Sequence, residues 1–455
     1  MLVKSISGIR GTIGGRVGEG LNPVDIVRFA AAYATQRRKA LPDNRTLVVG
    51  RDARVSGAML DQLVTATLSG MGCHVVNIGL ATTPTTELAV IGEKAAGGII
   101  LTASHNPKQW NALKLLNERG EFLSDAEGKE VLAIAEREDY TFAEIDELGV
   151  VEHKDYLPYH VQNVLDLKLV DKAAIEAADF TVVIDCVNSV GGLAIPAMLE
   201  ALGVKNIIRM NCTPDGHFPH NPEPIPQNLT DISAKMRTTK ADVGFVVDPD
   251  VDRLAIICED GEMFGEEYTL VSVADYVLSH TPGNTVSNLS SSRALADVTK
   301  RHGGMYEASA VGEVNVTTLM RKNNAVIGGE GNGGVIYPAS HYGRDALVGV
   351  ALFLSSLAQK KMKVSELRKT FPNYCISKNR IDLTPDMNVD ALLERVQKLY
   401  ENERVTTIDG VKIDFADGWV HLRKSNTEPI IRIYSEADTI EHADALAQKV
   451  KEAIS

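Results

Sequence analysis

The chain has 455 residues, about three times the usual length of one domain, so three or four domains are expected. Its 47 basic and 60 acidic residues give a net charge of −13, which argues against a nucleic-acid partner because such proteins need a basic surface. The sequence shows no bilayer-spanning apolar run, no signal-peptide core and no CxxC pair among five scattered cysteines, so we expect a cytoplasmic protein without a membrane partner, disulfide framework or zinc site.

Three stretches of the chain have the same pattern, in which short runs rich in β-branched residues alternate with helical patterns. Near-continuous apolar strands followed by helices indicate buried, largely parallel sheets of the α/β kind. Such sheets bind ligands at the loops that follow the carboxyl ends of their strands. The strand-like runs are 46–50, 74–79 and 97–102 in the first stretch, 180–185 and 243–248 in the second, and 284–286 and 325–328 in the third, with helical patterns at 58–71, 192–202 and 293–302.

The fourth stretch, from about residue 371, pairs strand-like runs with two helical patterns and is predicted to be a small α+β domain. The predicted fold is therefore three similar α/β domains with mixed, largely parallel sheets, plus a C-terminal α+β domain, around a central cleft. The alternative is that the three α/β stretches are unrelated and have in common only that a polar loop follows a buried strand. The predicted strands of the last stretch are 378–382, 411–414, 419–422 and 430–434, its helices are 389–403 and 440–454, and the four predicted domains are 1–153, 154–255, 256–370 and 371–455.

The first cluster of chemically suggestive residues is the segment 102–107, TASHNP, at the exit of a predicted strand. Pro107 can begin a helix, and the positive end of that helix would attract a phosphate near Ser104. Ser104 is therefore a candidate phosphate carrier or nucleophile, and Lys114 a nearby cation or proton donor. A Ser–His pair adjacent in sequence does not make a catalytic triad, because neighbouring side chains diverge. A polar strand-to-helix turn explains the same residues without any chemistry.

The second cluster consists of three carboxylates, Asp248, Asp250 and Asp252, at alternate positions after an apolar strand. They repel one another unless a cation neutralises them, and hard oxygen ligands suit Mg²⁺ or Ca²⁺. An EF-hand loop has similar spacing, with Glu259 at its twelfth position, but Arg253 stands where that loop requires glycine. We favour Mg²⁺ with a phosphate oxygen as an additional ligand, and a solvated acidic turn is the alternative.

Two further loops have the composition of sugar-phosphate binding sites. The glycine-rich segment 328–334, GGEGNGG, offers Glu330 and Asn332 to sugar hydroxyl groups, and it has neither the GxGxxG spacing nor a Walker lysine. The segment 423–429, RKSNTEP, with Arg432 beyond it, combines a guanidinium, hydroxyls, an amide and backbone N–H groups that suit a phosphate. Each loop alone is equally well explained as a polar turn. Together, the four clusters indicate a site that moves a phosphoryl group on a phosphorylated polyol.

The four clusters resemble, in this order along the chain, the signature loops of the α-D-phosphohexomutase family. The segments 7–11, SGIRG, and 50–57, GRDARVSG, resemble two further stretches of that family, so the resemblance spans the chain. It implies four domains around a central cleft and a resting enzyme phosphorylated on Ser104. The opening GIRG and the EGNGG loop look most similar to the phosphoglucosamine-mutase branch.

The resemblance also implies a reaction. Phosphoserine 104 would transfer its phosphoryl group to a hexose phosphate, and the bisphosphorylated sugar would turn over and return its other phosphate to Ser104, which exchanges 1- and 6-phosphates. The Mg²⁺ ligands would be Asp248, Asp250, Asp252 and a phosphate oxygen on Ser104. Lys114 is the candidate for general acid–base catalysis, which requires that neighbouring cations lower its pKa. The other implied residues are Arg10 and Arg253 for charge neutralisation, His105 for orienting the loop, and Glu330, Asn332, Arg423, Ser425, Asn426, Thr427 and Arg432 for substrate binding.

The sequence departs from the family pattern at three points. Ala112 follows Asn111 where relatives commonly have glycine, Asn332 replaces a common serine, and Gly334 stands where many relatives carry a histidine. The identity of the general base and of the sugar therefore stays open, with glucosamine phosphate favoured over glucose and mannose phosphates.

The expected partners are a hexose phosphate and its bisphosphate, and the chain is expected to be a monomer or a homodimer. Two alternative functions are a Mg²⁺-dependent sugar phosphatase and a non-enzymatic Ca²⁺ or sugar-phosphate sensor. Ser104 favours a mutase over a phosphatase, because no water-activating base is evident in the sequence. The Ser104–Lys114 cluster speaks against a sensor.

Overall fold

The computed structural model describes residues 1–5, 8–384, 387–424 and 430–454. The chain divides into two compact units, Met1–Thr269 with Gly333–Leu367, and Leu270–Asn332 with Arg368–Ser455. Within the described part of the chain, no helix combines the length and the apolar character that crossing a membrane requires.

The first stretch of the chain forms a seven-stranded sheet with four helices. Its elements are β1 (Leu2–Ser5), β2 (Gly8–Thr12), α1 (Pro23–Ala40), β3 (Thr46–Arg51), α2 (Gly57–Gly70), β4 (His74–Leu80), α3 (Thr83–Gly92), β5 (Gly97–Leu101), β6 (Trp110–Leu116), α4 (Asp125–Arg137) and β7 (Val151–His153). The strand order is β1-β2-β6-β5-β3-β4-β7, in which β5, β3, β4 and β7 are parallel and β6, β2 and β1 alternate in direction. Helices α1, α2 and α4 share one apolar core with the sheet, which buries the apolar runs of β3 and β5.

The second stretch forms a four-stranded sheet. Its elements are α5 (Leu157–Leu165), α6 (Lys172–Ala178), β8 (Thr181–Asp185), α7 (Gly191–Ala201), β9 (Asn206–Met210), α8 (Thr230–Thr238), β10 (Val243–Val247) and β11 (Leu254–Ile257). The order is β11-β10-β8-β9, with β10, β8 and β9 parallel and β11 antiparallel. Every residue of β10 and β11 is buried, so the turn that joins them is anchored at both ends in the core.

The third stretch contributes to both units. Its elements are α9 (Tyr268–His280), β12 (Asn284–Asn288), α10 (Ala294–Arg301), β13 (Tyr306–Ser309), α11 (Glu313–Lys322), β14 (Ala325–Glu330), β15 (Gly334–Ile336), α12 (Ala346–Lys360) and α13 (Val364–Arg368). Strands β13, β12 and β14 lie side by side and are parallel. Helix α12 is buried along most of its length, as its apolar sequence requires.

The fourth stretch forms a five-stranded antiparallel sheet. Its elements are β16 (Cys375–Asp382), α14 (Val389–Leu399), β17 (Arg404–Thr406), β18 (Val411–Asp414), β19 (Trp419–Lys424), β20 (Ile430–Ala437) and α15 (Ile440–Ile454). The strand order is β16-β20-β19-β18-β17, and the helices α14 and α15 share an apolar core with the sheet. The predicted fold class, three α/β domains with largely parallel sheets followed by an α+β domain, is confirmed.

Candidate active site

Ser104 lies in the turn that joins β5 to β6. Its backbone φ of 48° lies in the left-handed region, which few residues other than glycine adopt. The Ser104 N–H donates to Thr102 Oγ1 at 2.9 Å, and the Ser104 hydroxyl donates to Asp248 Oδ2 at 2.7 Å. The chain continues from this turn into β6, so the prediction that Pro107 begins a helix is wrong. The hydroxyl is therefore placed by hydrogen bonds and backbone conformation, without a helix dipole.

The three aspartates lie in the turn between the antiparallel strands β10 and β11. All three side chains are buried, and their ligand oxygens lie within 4.8 Å of one another. Val251, between Asp250 and Asp252, has a φ of 63°, so the turn is tight and strained. Because a strand begins at Leu254, the turn is that of a hairpin, and the EF-hand alternative does not apply.

The aspartate cluster has the properties of a divalent-cation site. Asp250 Oδ1 and Asp252 Oδ1 are buried and have no hydrogen-bond partner. Burial, together with repulsion from Asp252 and Asp250, raises the pKa of Asp248 well above its ordinary value. Hard, closely spaced oxygens with unused lone pairs fit Mg²⁺. Among the residues that the structure describes, this is the only cluster of acids, cysteines or histidines with the spacing of a metal site.

Lys114 projects from β6 onto the aspartates. Its Nζ lies 2.7 Å from Asp250 Oδ2 and 3.7 Å from Asp252 Oδ2. Burial would lower the pKa of Lys114, but the attraction of the two carboxylates outweighs burial and raises it. The acid–base role predicted for Lys114 requires that neighbouring cations lower this pKa, and the structure does not meet this requirement because the nearest charged groups are anions. The same pair lowers the pKa of Asp250, against the effect of burial.

The remaining predicted groups of this region supply positive charge and a neutral imidazole. The Arg253 N–H donates to Asp248 Oδ1 at 3.2 Å, and Arg253 Nε lies 3.9 Å from Asp252 Oδ1. Arg10 on β2 is close enough to Arg253 that burial and repulsion together lower its pKa. His105 Nδ1 lies 3.4 Å from Ser104 Oγ, and burial followed by the charge of Arg253 lowers the pKa of His105 to about 2. The structure thus gathers cations around an uncharged His105.

Three residues of this region were not predicted from the sequence. The Thr83 hydroxyl at the start of α3 donates to Asp250 Oδ2 at 2.7 Å, and Arg344 Nη2 donates to Asp252 Oδ2 at 2.7 Å. Arg54 binds backbone carbonyls of the Ser104 turn. The TTPTT run after β4 marks Thr83 as part of a strand exit, and Arg54 belongs to the GRDARVSG segment. No sequence signal links Arg344 to Asp252.

The predicted sugar-binding residue Glu330 ends β14 in the second unit. Its Oε1 accepts hydrogen bonds from Asn288 Nδ2 at 2.8 Å and from the Gly312 N–H at 3.2 Å. The neighbouring Gly331 N–H donates to Ser291 Oγ at 3.1 Å, which fixes the start of the glycine-rich loop, and Asn332 follows, half-buried.

The predicted phosphate clamp belongs to the antiparallel sheet of the second unit. Arg423 on β19 lies directly opposite Arg432 on β20, and Arg423 Nη1 is 3.7 Å from Asp409 Oδ2. The other predicted clamp residues, Ser425, Asn426 and Thr427, lie outside the described residues.

Comparisons with known proteins agree along the whole chain. Sequence models of the phosphoglucomutase/phosphomannomutase α/β/α domains I, II and III match residues 3–142, 158–261 and 265–374, and the model of the C-terminal domain matches 381–453. A phosphoglucomutase/phosphomannomutase of Thermococcus kodakarensis is 37% identical over 95% of both chains. A probable phosphoglucosamine mutase of Methanopyrus kandleri is 34% identical over 97% of this chain and 95% of that one. The crystal structure of a phosphoglucomutase/phosphomannomutase family protein from Burkholderia thailandensis, 27% identical, superposes with a TM-score of 0.86 over 100% of this chain and 98% of that one.

Proposed function

The chain belongs to the phosphoglucomutase/phosphomannomutase family, the α-D-phosphohexomutases, and is an isomerase; from this we propose that it interconverts the 6-phosphate and the 1-phosphate of a hexose. The observation that carries the proposal is the hydrogen bond of 2.7 Å from the Ser104 hydroxyl to Asp248, inside a buried aspartate cluster that Lys114 contacts. This arrangement supports the proposal because the Ser104 hydroxyl, as the acceptor of a phosphoryl group, would lie beside carboxylates that could hold a divalent cation.

In the proposed reaction, Ser104 carries a phosphoryl group in the resting enzyme. As a hydroxyl oxygen of the sugar phosphate forms a bond to phosphorus, the bond from phosphorus to Ser104 Oγ breaks, and the product is a bisphosphorylated sugar. The proton that the sugar hydroxyl loses balances the proton that the serine oxygen gains. After the sugar turns over, the reverse transfer of its other phosphate returns the phosphoryl group to Ser104.

The proposed metal is Mg²⁺. Asp248, Asp250, Asp252 and a phosphate oxygen on Ser104 would hold it, and it would supply charge neutralisation during phosphoryl transfer. Arg10 and Arg253 add fixed positive charge on the protein side, which stabilises the charge that spreads over the phosphoryl oxygens.

Lys114 is the proposed proton donor. It would act on the sugar oxygen; because Asp250 and Asp252 raise its pKa, this role requires that Mg²⁺, by taking up these carboxylates, weaken their attraction for the ammonium. His105 is uncharged and serves to orient the loop. A general base is not assigned, because Gly334 offers no side chain at the position where many relatives have a histidine.

We further propose a division into domains 1–153, 154–255, 256–370 and 371–455. Glu330 and Asn332 would bind sugar hydroxyls, and the clamp would hold the phosphate that is not reacting. The clamp would consist of Arg423, Ser425, Asn426, Thr427 and Arg432. We also propose that the protein acts in the cytoplasm, as a monomer or homodimer, without nucleic-acid or membrane partners.

One experiment tests the carrier role of Ser104. Intact-mass analysis of the purified protein, after incubation with a hexose 1,6-bisphosphate, should show a species heavier by one phosphate that maps to Ser104. Ser104→Ala should lose both this species and mutase activity, whereas the control Ser233→Ala, at a half-buried serine of α8, should keep both. A fully active Ser104→Ala variant would contradict the proposal.

A second assay identifies the sugar. Turnover of the 6-phosphates and 1-phosphates of glucosamine, glucose and mannose is compared, with inorganic phosphate measured in the same reactions. We expect the highest kcat/KM with glucosamine phosphates and little phosphate release. Steady release of inorganic phosphate would indicate a phosphatase, and binding without turnover would indicate a sensor.

A further inference from the structure

Arg54 occupies a buried position beneath the Ser104 turn. Its side chain is 0% exposed, as is that of its partner Asp52, whose Oδ2 accepts a hydrogen bond from Arg54 Nε at 3.1 Å. The ring of Phe218 lies over the guanidinium, with its centroid 5.1 Å from the central carbon. A charge is buried this completely only when its donors are all used.

The guanidinium uses its donors on the backbone of one loop. Nη1 donates to the carbonyl oxygens of Pro107 at 2.9 Å and Trp110 at 3.1 Å. Nη2 donates to those of Asn106 at 2.6 Å and Ser104. With the bond from Nε to Asp52, all five N–H groups of the side chain are engaged. Four carbonyl groups within seven residues are thereby gathered around one cation.

The loop needs such an anchor because of the conformation of Ser104. A serine at a φ of 48° persists only where the surroundings over-determine it. The second anchor is Thr102, whose hydroxyl donates to Asp52 Oδ2 at 2.7 Å and accepts from the Ser104 N–H at 2.9 Å. Arg54, Asp52 and Thr102 thus form one buried network that fixes Ser104 from both its N–H and its carbonyl group.

We propose that Arg54 is a positioning residue for phosphoryl transfer, which holds Ser104 in the left-handed conformation that directs its oxygen toward Asp248. Arg54 acts through the backbone of the loop, and the hydrogen bonds described for it go to carbonyl oxygens and to Asp52, not to Ser104 Oγ. The inference rests on the proposed function, in which Ser104 carries the phosphoryl group. Lysine cannot replace Arg54, because an ammonium offers three donors from one nitrogen in place of five donors in a planar fork.

The test compares Arg54→Lys with Arg51→Lys in the full-length protein saturated with Mg²⁺. Arg51 lies in the same segment and donates to the carbonyl oxygen of Asp52, away from the Ser104 turn. For Arg54→Lys we expect kcat to fall about 100-fold, the loss that a displacement of roughly 1 Å causes, while KM stays within about threefold. Backbone amides of residues 102–110 should exchange hydrogen faster, and Arg51→Lys should change neither kcat nor exchange in this segment.

The outcomes separate this inference from the proposed function. A kcat for Arg54→Lys within about threefold of wild type, with unchanged exchange at 102–110, would overturn the inference even if Ser104→Ala is inactive. A purely structural role predicts a lower melting temperature with an unchanged kcat per folded molecule, which also overturns it. If Ser104→Ala stays active, the proposed function fails, whereas the exchange result still reports on Arg54.

A second variant covers the case in which Arg54→Lys does not fold. Asp52→Asn keeps the shape of the side chain but removes the charge that orients the guanidinium. We expect the same pattern with a smaller loss of kcat, about 10-fold, and faster exchange at 102–110. Unchanged kcat and unchanged exchange in Asp52→Asn would overturn the inference on their own.

Discussion

The buried carboxylates of the acidic turn in the first unit and of the glycine-rich loop in the second unit differ in their hydrogen bonds. Asp250 and Asp252 are buried, and each keeps one oxygen without a hydrogen-bond partner. Glu330 is also buried, but its Oε1 accepts two hydrogen bonds, from Asn288 and from the Gly312 N–H. A buried carboxylate oxygen without a hydrogen-bond partner is costly, whereas neutral donors offset the burial of Glu330 Oε1. The acidic turn therefore has carboxylate oxygens that a cation could use, whereas Glu330 is held by hydrogen bonds within the protein.

The positively charged side chains of the two regions also have different neighbours. In the acidic turn, Lys114 and Arg344 each lie 2.7 Å from an aspartate oxygen. In the second unit, Arg423 and Arg432 lie directly opposite each other on neighbouring strands. Like charges at directly opposed positions destabilise a sheet unless an anion lies between them. Arg423 and Arg432 belong to the proposed phosphate clamp, whereas the acidic turn is the proposed cation site.

Removing one charge from the acidic turn should have the largest effect. The raised pKa of Asp248 means that the folded protein retains a proton that the unfolded chain releases above about pH 4, so this carboxyl group reduces stability at pH 7. Asp248→Asn should therefore raise the melting temperature of the metal-free protein. Mutase activity should fall at least about 1000-fold, because Asp248 is a proposed metal ligand and contacts Ser104.

Differential scanning fluorimetry with a chelator and with Mg²⁺ checks this expectation. The stabilisation by Mg²⁺ should be lost in Asp248→Asn and retained in Glu330→Gln. A lower melting temperature of metal-free Asp248→Asn would show that the aspartates do not repel one another in the folded protein.

A change at Glu330 should have a smaller and different effect. Glu330→Gln keeps an oxygen for Asn288 and Gly312 but removes the charge, and hydrogen bonds to a charged acceptor are worth about 1.5–3 kcal/mol. We expect kcat/KM to fall about 10- to 100-fold, with the ratio between glucosamine and glucose phosphates changed. Phosphorylation of Ser104 and stabilisation by Mg²⁺ should be unaffected. An unchanged kcat/KM on all three sugars would remove Glu330 from the substrate site.

A smaller effect is expected from the hydroxyl that orients Asp250. Thr83→Val removes the donor to Asp250 Oδ2 while keeping the side-chain volume. Loss of such an outer contact typically weakens metal binding 10- to 100-fold, and we expect about 10-fold for Mg²⁺. The control is Thr86→Val, on the same helix, which removes a bond to the carbonyl oxygen of Thr82. Equal Mg²⁺ affinities in the two variants would contradict the orienting role.

Sequence reasoning predicted the parts of the fold and site that local patterns encode. The apolar runs at β5 and β10 predicted buried strands, and the polar residues after them predicted the Ser104 turn and the aspartate turn. The prediction of a helix after Pro107 was wrong because the following WNALKLL segment forms the buried strand β6, paired antiparallel with β5. Turn residues alone do not show whether the chain proceeds to a helix or to a strand.

The contacts that adjust the site depend on tertiary structure and were missed. Arg344 reaches Asp252 across 92 positions of the sequence, and Thr83 reaches Asp250 across 167. The acid–base role of Lys114 requires a pKa lowered by nearby cations, but the carboxylate of Asp250, 2.7 Å from the ammonium, raises it. Charge signs can be read from a sequence, whereas the order of distances that decides a pKa cannot.

The last prediction concerns acid stability, where the two units should behave alike. His341 in the first unit and His421 in the second are buried, and burial lowers the pKa of each to about 4. The unfolded chain binds a proton at each histidine below about pH 6.5, but the folded protein does so only near pH 4. Stability should therefore fall as the pH drops from 6.5 to 4, by up to about 3 kcal/mol for each histidine.

Urea unfolding between pH 7 and pH 4.5 measures this slope. His421 Nε2 donates to the carbonyl oxygen of Asp409 and its Nδ1 accepts from Ser290, which fixes the neutral form. His421→Gln removes one titrating group, so the number of protons taken up on unfolding should fall by up to one. The free energy of unfolding should then depend less steeply on pH, and His341→Gln should have the same effect in the first unit. An unchanged slope in both variants would contradict the prediction, because the folded protein would then bind a proton at these imidazoles as readily as the unfolded chain does.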